Sequence, residues 1–140
     1  MKIFTALLLS FCLFATTTQA TSLPEKNIDP AVVIAVTAFA DQINAGNLVS
    51  AFYSGSIRLQ ESFNQDLWLD QTRRTFQSLG NIINRKLVKS RTLTAFPMLP
   101  DDNYLIVYHE LRMDFKAKAL EIALLRFENG QWKICAYSVR

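Results

Sequence analysis

The stretch LLRFENGQWKICAYSV, residues 124–139, decides the fold. Asn129-Gly130 stands between Phe127 and Trp132. An Asn-Gly pair between two β-prone runs marks a type I′ hairpin, because both central residues must take positive φ. With that pair as the turn, Leu124 faces Cys135 and Ile122 faces Tyr137. Working back along the chain, a turn centred on Ala117-Lys118 sets Met113 opposite Ile122 and Leu111 opposite Leu124. One sheet face then carries Leu105, Val107, His109, Leu111, Met113 and Phe115 with Leu120, Ile122, Leu124, Cys135, Tyr137 and Val139. That face reads as the core. The other carries Tyr108, Glu110, Arg112 and Asp114 with Glu121, Leu125, Phe127, Trp132 and Ile134. Its second half is too apolar for a fully wet surface.

Alternation with a period of two begins at Ile82, and predicts strands over about 82–95, 104–115, 119–127 and 132–140. Pro97 to Asn103 is a loop rich in chain breakers. Upstream the period is helical. Asp29-Pro30 opens the first helix, aspartate as its cap and proline in its first turn. Val32, Val36, Phe39 and Ile43 give it one apolar face, and Gly46 stops it. Asn47 caps a short second helix with Leu48, Ala51 and Phe52 inward. Ser62 or Asn64 caps the third, which runs to Leu79 with Trp68, Thr72, Phe76 and Leu79 on one stripe and Asp70 placed to pair with Arg74. Three helices followed by four strands predict an α+β fold, the helices packed on one face of an antiparallel sheet.

The N-terminus carries an address. Met1-Lys2, the apolar run IFTALLLSFCLF and the small polar exit ATTTQA match a secretory signal peptide over residues 1–20. The apolar run is too short for a spanning helix, which needs about 20 residues. Residues 21–140 then form a single domain, exported and periplasmic. Of 15 basic and 12 acidic residues the signal removes only Lys2. So small an excess is no nucleic-acid footprint.

Candidate chemistry is sparse. Cys12 leaves with the signal, so Cys135 has no partner for an internal disulfide. His109 is the single histidine. A His109–Cys135 nucleophile is disfavoured, because the register sets the two roughly 10 Å apart, given about 4.8 Å between strands. The other reading is a hydrogen-bonded core histidine beside a small buried thiol. One histidine and one mature cysteine cannot close a zinc site. Asp101-Asp102-Asn103 lacks the ligand spacing of a calcium loop. No cofactor is expected. Glu110 and Glu121 read either as an acid–base pair or, with Arg112 between them, as a charged cross-strand cluster. Arg85, Lys86, Lys89 and Arg91 read as a charged edge strand, or as a surface for an anionic partner.

Several pieces resemble one known family in their order and spacing. They are Ala45-Gly46-Asn47, Gly80, Asn84-Arg85-Lys86-Leu87, Asn103-Tyr104, Lys116, Glu121, Gly130-Gln131-Trp132-Lys133-Ile134 and Ala136-Tyr137. Together they resemble the exported bacterial family catalogued as domain of unknown function 4019. Asn44 stands where that pattern has aspartate, and Ala136 where it has glycine. The resemblance implies a cone-shaped, cystatin-like or nuclear-transport-factor-2-like fold, a curved sheet wrapping a long helix. It implies no catalytic residues.

These observations lead to a non-enzymatic exported domain that binds a small apolar ligand or a protein partner. Phe39, Trp68, His109 and Tyr137 are the candidate pocket residues. The rival readings are a hydrolase or isomerase using that pocket, and a subunit of an envelope complex. Leu125, Phe127, Trp132 and Ile134 are the candidate interface of a homodimer.

Overall fold

The computed structural model describes residues 27–140, so the predicted signal peptide lies outside the described residues. Among the described residues four helices precede four strands. They are α1 (Pro30–Asn44), α2 (Leu48–Ser54), α3 (Ile57–Ser62) and α4 (Gln65–Leu79), then β1 (Ile82–Leu93), β2 (Tyr104–Met113), β3 (Lys116–Glu128) and β4 (Gln131–Val139). The strands form one antiparallel sheet in the order β1-β2-β3-β4, with β1 and β4 at its edges.

The helix ends follow their local chemistry. The Asp29 carboxylate accepts from the Ala31 N–H at 2.9 Å, and Pro30 fills the first turn, where its missing donor costs nothing. Asn64, not Ser62, caps α4, accepting from the Leu67 N–H at 3.1 Å. Asp70 and Arg74 pair at 2.9 Å on the outer side of that helix. The helix count corrects the expected three, because Ser56 caps a further short helix by accepting from the Arg58 N–H. The α2–α3 junction is tied to the β4 edge. The Ser56 N–H donates to the Ile134 carbonyl at 2.7 Å, and the Ser56 hydroxyl donates to Glu128 at 2.6 Å.

The core lies on both faces of the sheet. Val32, Val36, Phe39 and Ile43 of α1, with Phe52, Leu59 and Trp68, pack on Val107, Ala123, Leu125 and Ile134. On the opposite face the 94–103 loop folds back. Leu99 and Phe96 cover Tyr104, Ile106, Leu124 and Cys135 there. The Tyr104 hydroxyl donates to the Pro100 carbonyl, which holds the loop down.

Two registers differ from the expected ones, and both differences matter. The Asn129-Gly130 turn forms as predicted, with φ 51° and 75°. Phe127 pairs with Trp132, but a bulge at Cys135 then shifts the ladder, so Ala123 faces Tyr137 and Leu124 faces Ala136. An extra residue in one strand inverts the side-chain parity beyond it. Between β2 and β3 the turn is Asp114-Phe115, not Ala117-Lys118, and a bulge that sets Ala117 and Lys118 against Arg112 alone brings His109 opposite Glu121. The place of the turn has a tertiary cause. The Asp114 carboxylate accepts from the Asn81 N–H at 2.7 Å, and the Phe115 N–H donates to the Leu79 carbonyl at 3.0 Å. The turn is thus pinned to the α4–β1 connection. Gly80 allows that approach, since its φ is 80° and a Cβ there would lie 2.4 Å from the Asp114 Cβ.

The bulge against Arg112, not the place of the turn, turns β3 over. Leu125 and Ile134 are buried beneath the helices, while Phe127 is 57% exposed. The four candidate interface residues therefore do not form an exposed apolar patch, and the homodimer read from that patch has no such surface to use. Phe115, expected on the core face, is exposed at the turn tip.

Candidate functional site

Between α4, the 96–98 loop and the outer edge of β4 runs an apolar groove of about 430 Å³. Its helix wall is the stripe Trp68, Thr72, Thr75 and Phe76, in which only Trp68 is fully buried. The sheet supplies Ile122, Leu124 and Ala136 from the back face, and Tyr137 and Val139 from the helix side. Phe96, Pro97 and Met98 close the third wall. Met98 has a φ of 68° and is exposed. A non-glycine residue in that region is strained, and such strain concentrates where a site is built. No lining side chain is charged, and none is a histidine or cysteine.

Behind the groove lies a buried charge cluster. Glu121 is fully buried and His109 is 2% exposed. Arg85 reaches in from β1, donating from Nε at 2.8 Å and from a terminal nitrogen at 2.9 Å to the two Glu121 oxygens. Its other terminal nitrogen donates to the Thr37 hydroxyl of α1 at 3.3 Å. The Tyr137 hydroxyl donates to Glu121 Oε2 at 2.5 Å. His109 Nδ1 lies 3.0 Å from Glu121 Oε1, an ion-pair distance without the alignment of a good hydrogen bond. Such a cluster is tolerated inside only because its charges face each other.

The electrostatics follow. Burial alone would raise the Glu121 carboxyl. His109, the Arg85 hydrogen bonds and charge, and the Tyr137 hydroxyl outweigh it and hold the carboxyl below the usual range. Burial would lower Arg85, but Glu121 more than compensates, and its guanidinium is raised. Burial and the neighbouring Glu121 charge push the Tyr137 phenol well above its ordinary value. Tyr137 is therefore a neutral donor spent on Glu121. Its ring lines the groove and packs at a tilt against Phe39, at 5.2 Å between centroids, and Phe39 meets Trp68 edge-on at 6.0 Å.

Of the four candidate pocket residues, Trp68 and Tyr137 line the groove. Phe39 lies behind them in the core, and His109 belongs to the charge cluster. His109 and Cys135 are on opposite faces of the sheet, which rules out the dyad. Cys135 is buried under the 94–103 loop, not on the helix side, and burial pushes its thiol up to about 11. Glu110 is exposed on the back face while Glu121 is buried on the helix side, so they make neither a catalytic pair nor a cross-strand cluster. β1 is an edge strand, and Lys86, Lys89 and Arg91 are exposed along it. The back-face walls of the groove were not legible, since Ile122 and Leu124 read as core.

Residues 35–137 match the family described as a protein of unknown function (DUF4019). The chain belongs to that family. No curated protein matches it. The DUF4019 match spans all four cluster residues and most of the groove. Arg85, Glu121 and Tyr137, three residues on which the resemblance rested, meet at one point. Asn44, one of the two departures, holds the start of β1. It accepts from the Ile82 N–H at 3.1 Å and donates to the Ile82 carbonyl at 3.4 Å. An aspartate there could only accept. Among the described residues no group of histidine, cysteine and carboxylates is placed to hold a metal ion, and no helix is long and apolar enough to cross a membrane.

Proposed function

We propose that this DUF4019 chain is an exported binding domain whose groove takes an apolar ligand or a segment of a protein partner without reacting with it. The observation that carries this reading is the groove itself, open, apolar and lined by no charged side chain. Binding sites of this kind are concave and mostly apolar, with few polar groups to orient the ligand. The nearest ionisable groups support it further. Glu121 is fully buried and both its oxygens are engaged by Arg85 or Tyr137, and none of these groups meets a substrate in the groove as a base. That weighs against acid–base catalysis in the groove. We place the fold with the cystatin-like and nuclear-transport-factor-2-like cones, on the long meander sheet backed by α1 and α4, and the compartment in the periplasm, on the signal peptide.

The test is binding of a neutral apolar dye, Nile red, to the mature protein. Binding that is lost in Thr75→Trp, which fills the groove from the helix wall, supports the reading. Equal binding by both proteins refutes the groove as the site. N-terminal sequencing of protein from a periplasmic fraction should begin at Thr21, and an intact Met1 start in the cytoplasm would refute export.

A further inference from the structure

We infer that the groove takes an extended peptide, a short apolar segment of a partner protein that adds as a fifth strand to the free edge of β4. The inference rests on the groove being a binding site and names its ligand class. The evidence is the backbone. Leu120 and Arg140 exchange both N–H to carbonyl bonds, at 3.0 and 2.8 Å. Hydrogen-bonded and non-hydrogen-bonded pairs alternate along an antiparallel ladder. In the observed register Ser138 and Ala136 therefore bond to β3, while Tyr137 and Val139 turn their N–H and carbonyl groups outward. No protein group among the described residues bonds to those outward groups. Further along β4, Ser56 already occupies the Ile134 carbonyl, so the free stretch beside the groove ends there.

Unpaired backbone donors and acceptors, two residues apart on a strand, match another extended backbone and not a featureless apolar molecule. Addition of a strand to a sheet edge is a general mode of peptide recognition. The walls define the side chains. A strand laid beside β4 would point alternate residues toward Trp68 and Phe76 on one side and toward Phe96 and Leu124 on the other. Both faces being covered, the segment should be apolar at successive positions, as in strands buried on both sides. The uncharged lining calls for an uncharged segment. The free edge spans about four residues at about 3.4 Å each. The β4 edge is recessed between α4 and the 96–98 loop, so the same edge of a second folded copy would meet both walls before pairing.

The experiment uses the mature protein and a displayed library of random heptapeptides. Enrichment of short apolar runs, with capture lost in Thr75→Trp, is expected. The best peptide is then made with single backbone N-methyl groups. Methylation at positions facing Tyr137 and Val139 should weaken binding about tenfold, and at alternate positions much less. In the free protein the Tyr137 and Val139 amides should exchange with solvent faster than Ser138 and Arg140, and the peptide should slow them. Nile red binding with no enriched peptide overturns this inference while leaving the groove a binding site, and failure of both overturns both. Insensitivity to every N-methyl position also overturns it, as does concentration-dependent self-association that protects the same amides.

Discussion

Replacing Glu121 with glutamine should be among the most damaging isosteric changes in this protein. The substitution keeps the shape and removes the charge facing Arg85, whose side chain is only 14% exposed. Taking one partner from a buried ion pair costs about 3–5 kcal/mol, because the other charge stays inside uncompensated. Arg85 retains some solvent, so the lower end, about 3 kcal/mol, applies. For a domain this size that lowers Tm by about 10–15 °C. Urea and thermal unfolding followed by far-ultraviolet circular dichroism measure both quantities. Glu121→Leu with Arg85→Met, which deletes both charges, should recover much of the loss. The pH dependence carries a second signature. The Glu121 carboxyl is held below its unfolded value, so its stabilisation is full above about pH 4.3 and is lost as pH falls through the lower folded value. Wild type should therefore lose stability more steeply below about pH 4.3 than Glu121→Gln does. A Glu121→Gln protein within about 0.5 kcal/mol of wild type, with an unchanged acid limb, would refute the buried cluster.

Further outcomes follow from single contacts. Gly80→Ala should destabilise by about 2–4 kcal/mol, because it combines a positive φ with a Cβ overlapping Asp114, and a denaturation midpoint unchanged within error would contradict the pinned turn. Trp68→Ala should cost about 3–5 kcal/mol, since the ring packs on Phe39 and Phe52, and calorimetry would detect it. The Cys135 thiol, pushed up to about 11 by burial, should resist a thiol reagent at neutral pH until the protein is unfolded, and rapid native labelling would show that the 94–103 loop opens. Asn44→Ala should cost about 1–2 kcal/mol by freeing both Ile82 backbone groups, measurable by urea unfolding.

What the sequence alone determined were the features with local causes. The Asp29-Pro30 start of α1, a cap at Ser62 or Asn64 ahead of α4, the Asn129-Gly130 turn and the change of period at Ile82 each depend on a few neighbouring residues, and each appears in the structure, the cap as Asn64. They sufficed for an α+β fold with a four-stranded antiparallel sheet. The face of β3 was not local. Ala119, Ala123 and Leu125 alternate with Leu120, Ile122 and Leu124, so both faces are apolar and the pattern permits either parity. A bulge in the β2–β3 ladder, where Ala117 and Lys118 stand against Arg112 alone, decided it, and the bulge at Cys135 then set Tyr137 on the same side as Glu121. Because side chains alternate with a period of two, those two bulges assembled the cluster of Arg85, His109, Glu121 and Tyr137, and buried Leu125 and Ile134 of the expected dimer face. The groove arose the same way, from a loop and a helix meeting at a strand edge, a juxtaposition that only tertiary packing creates.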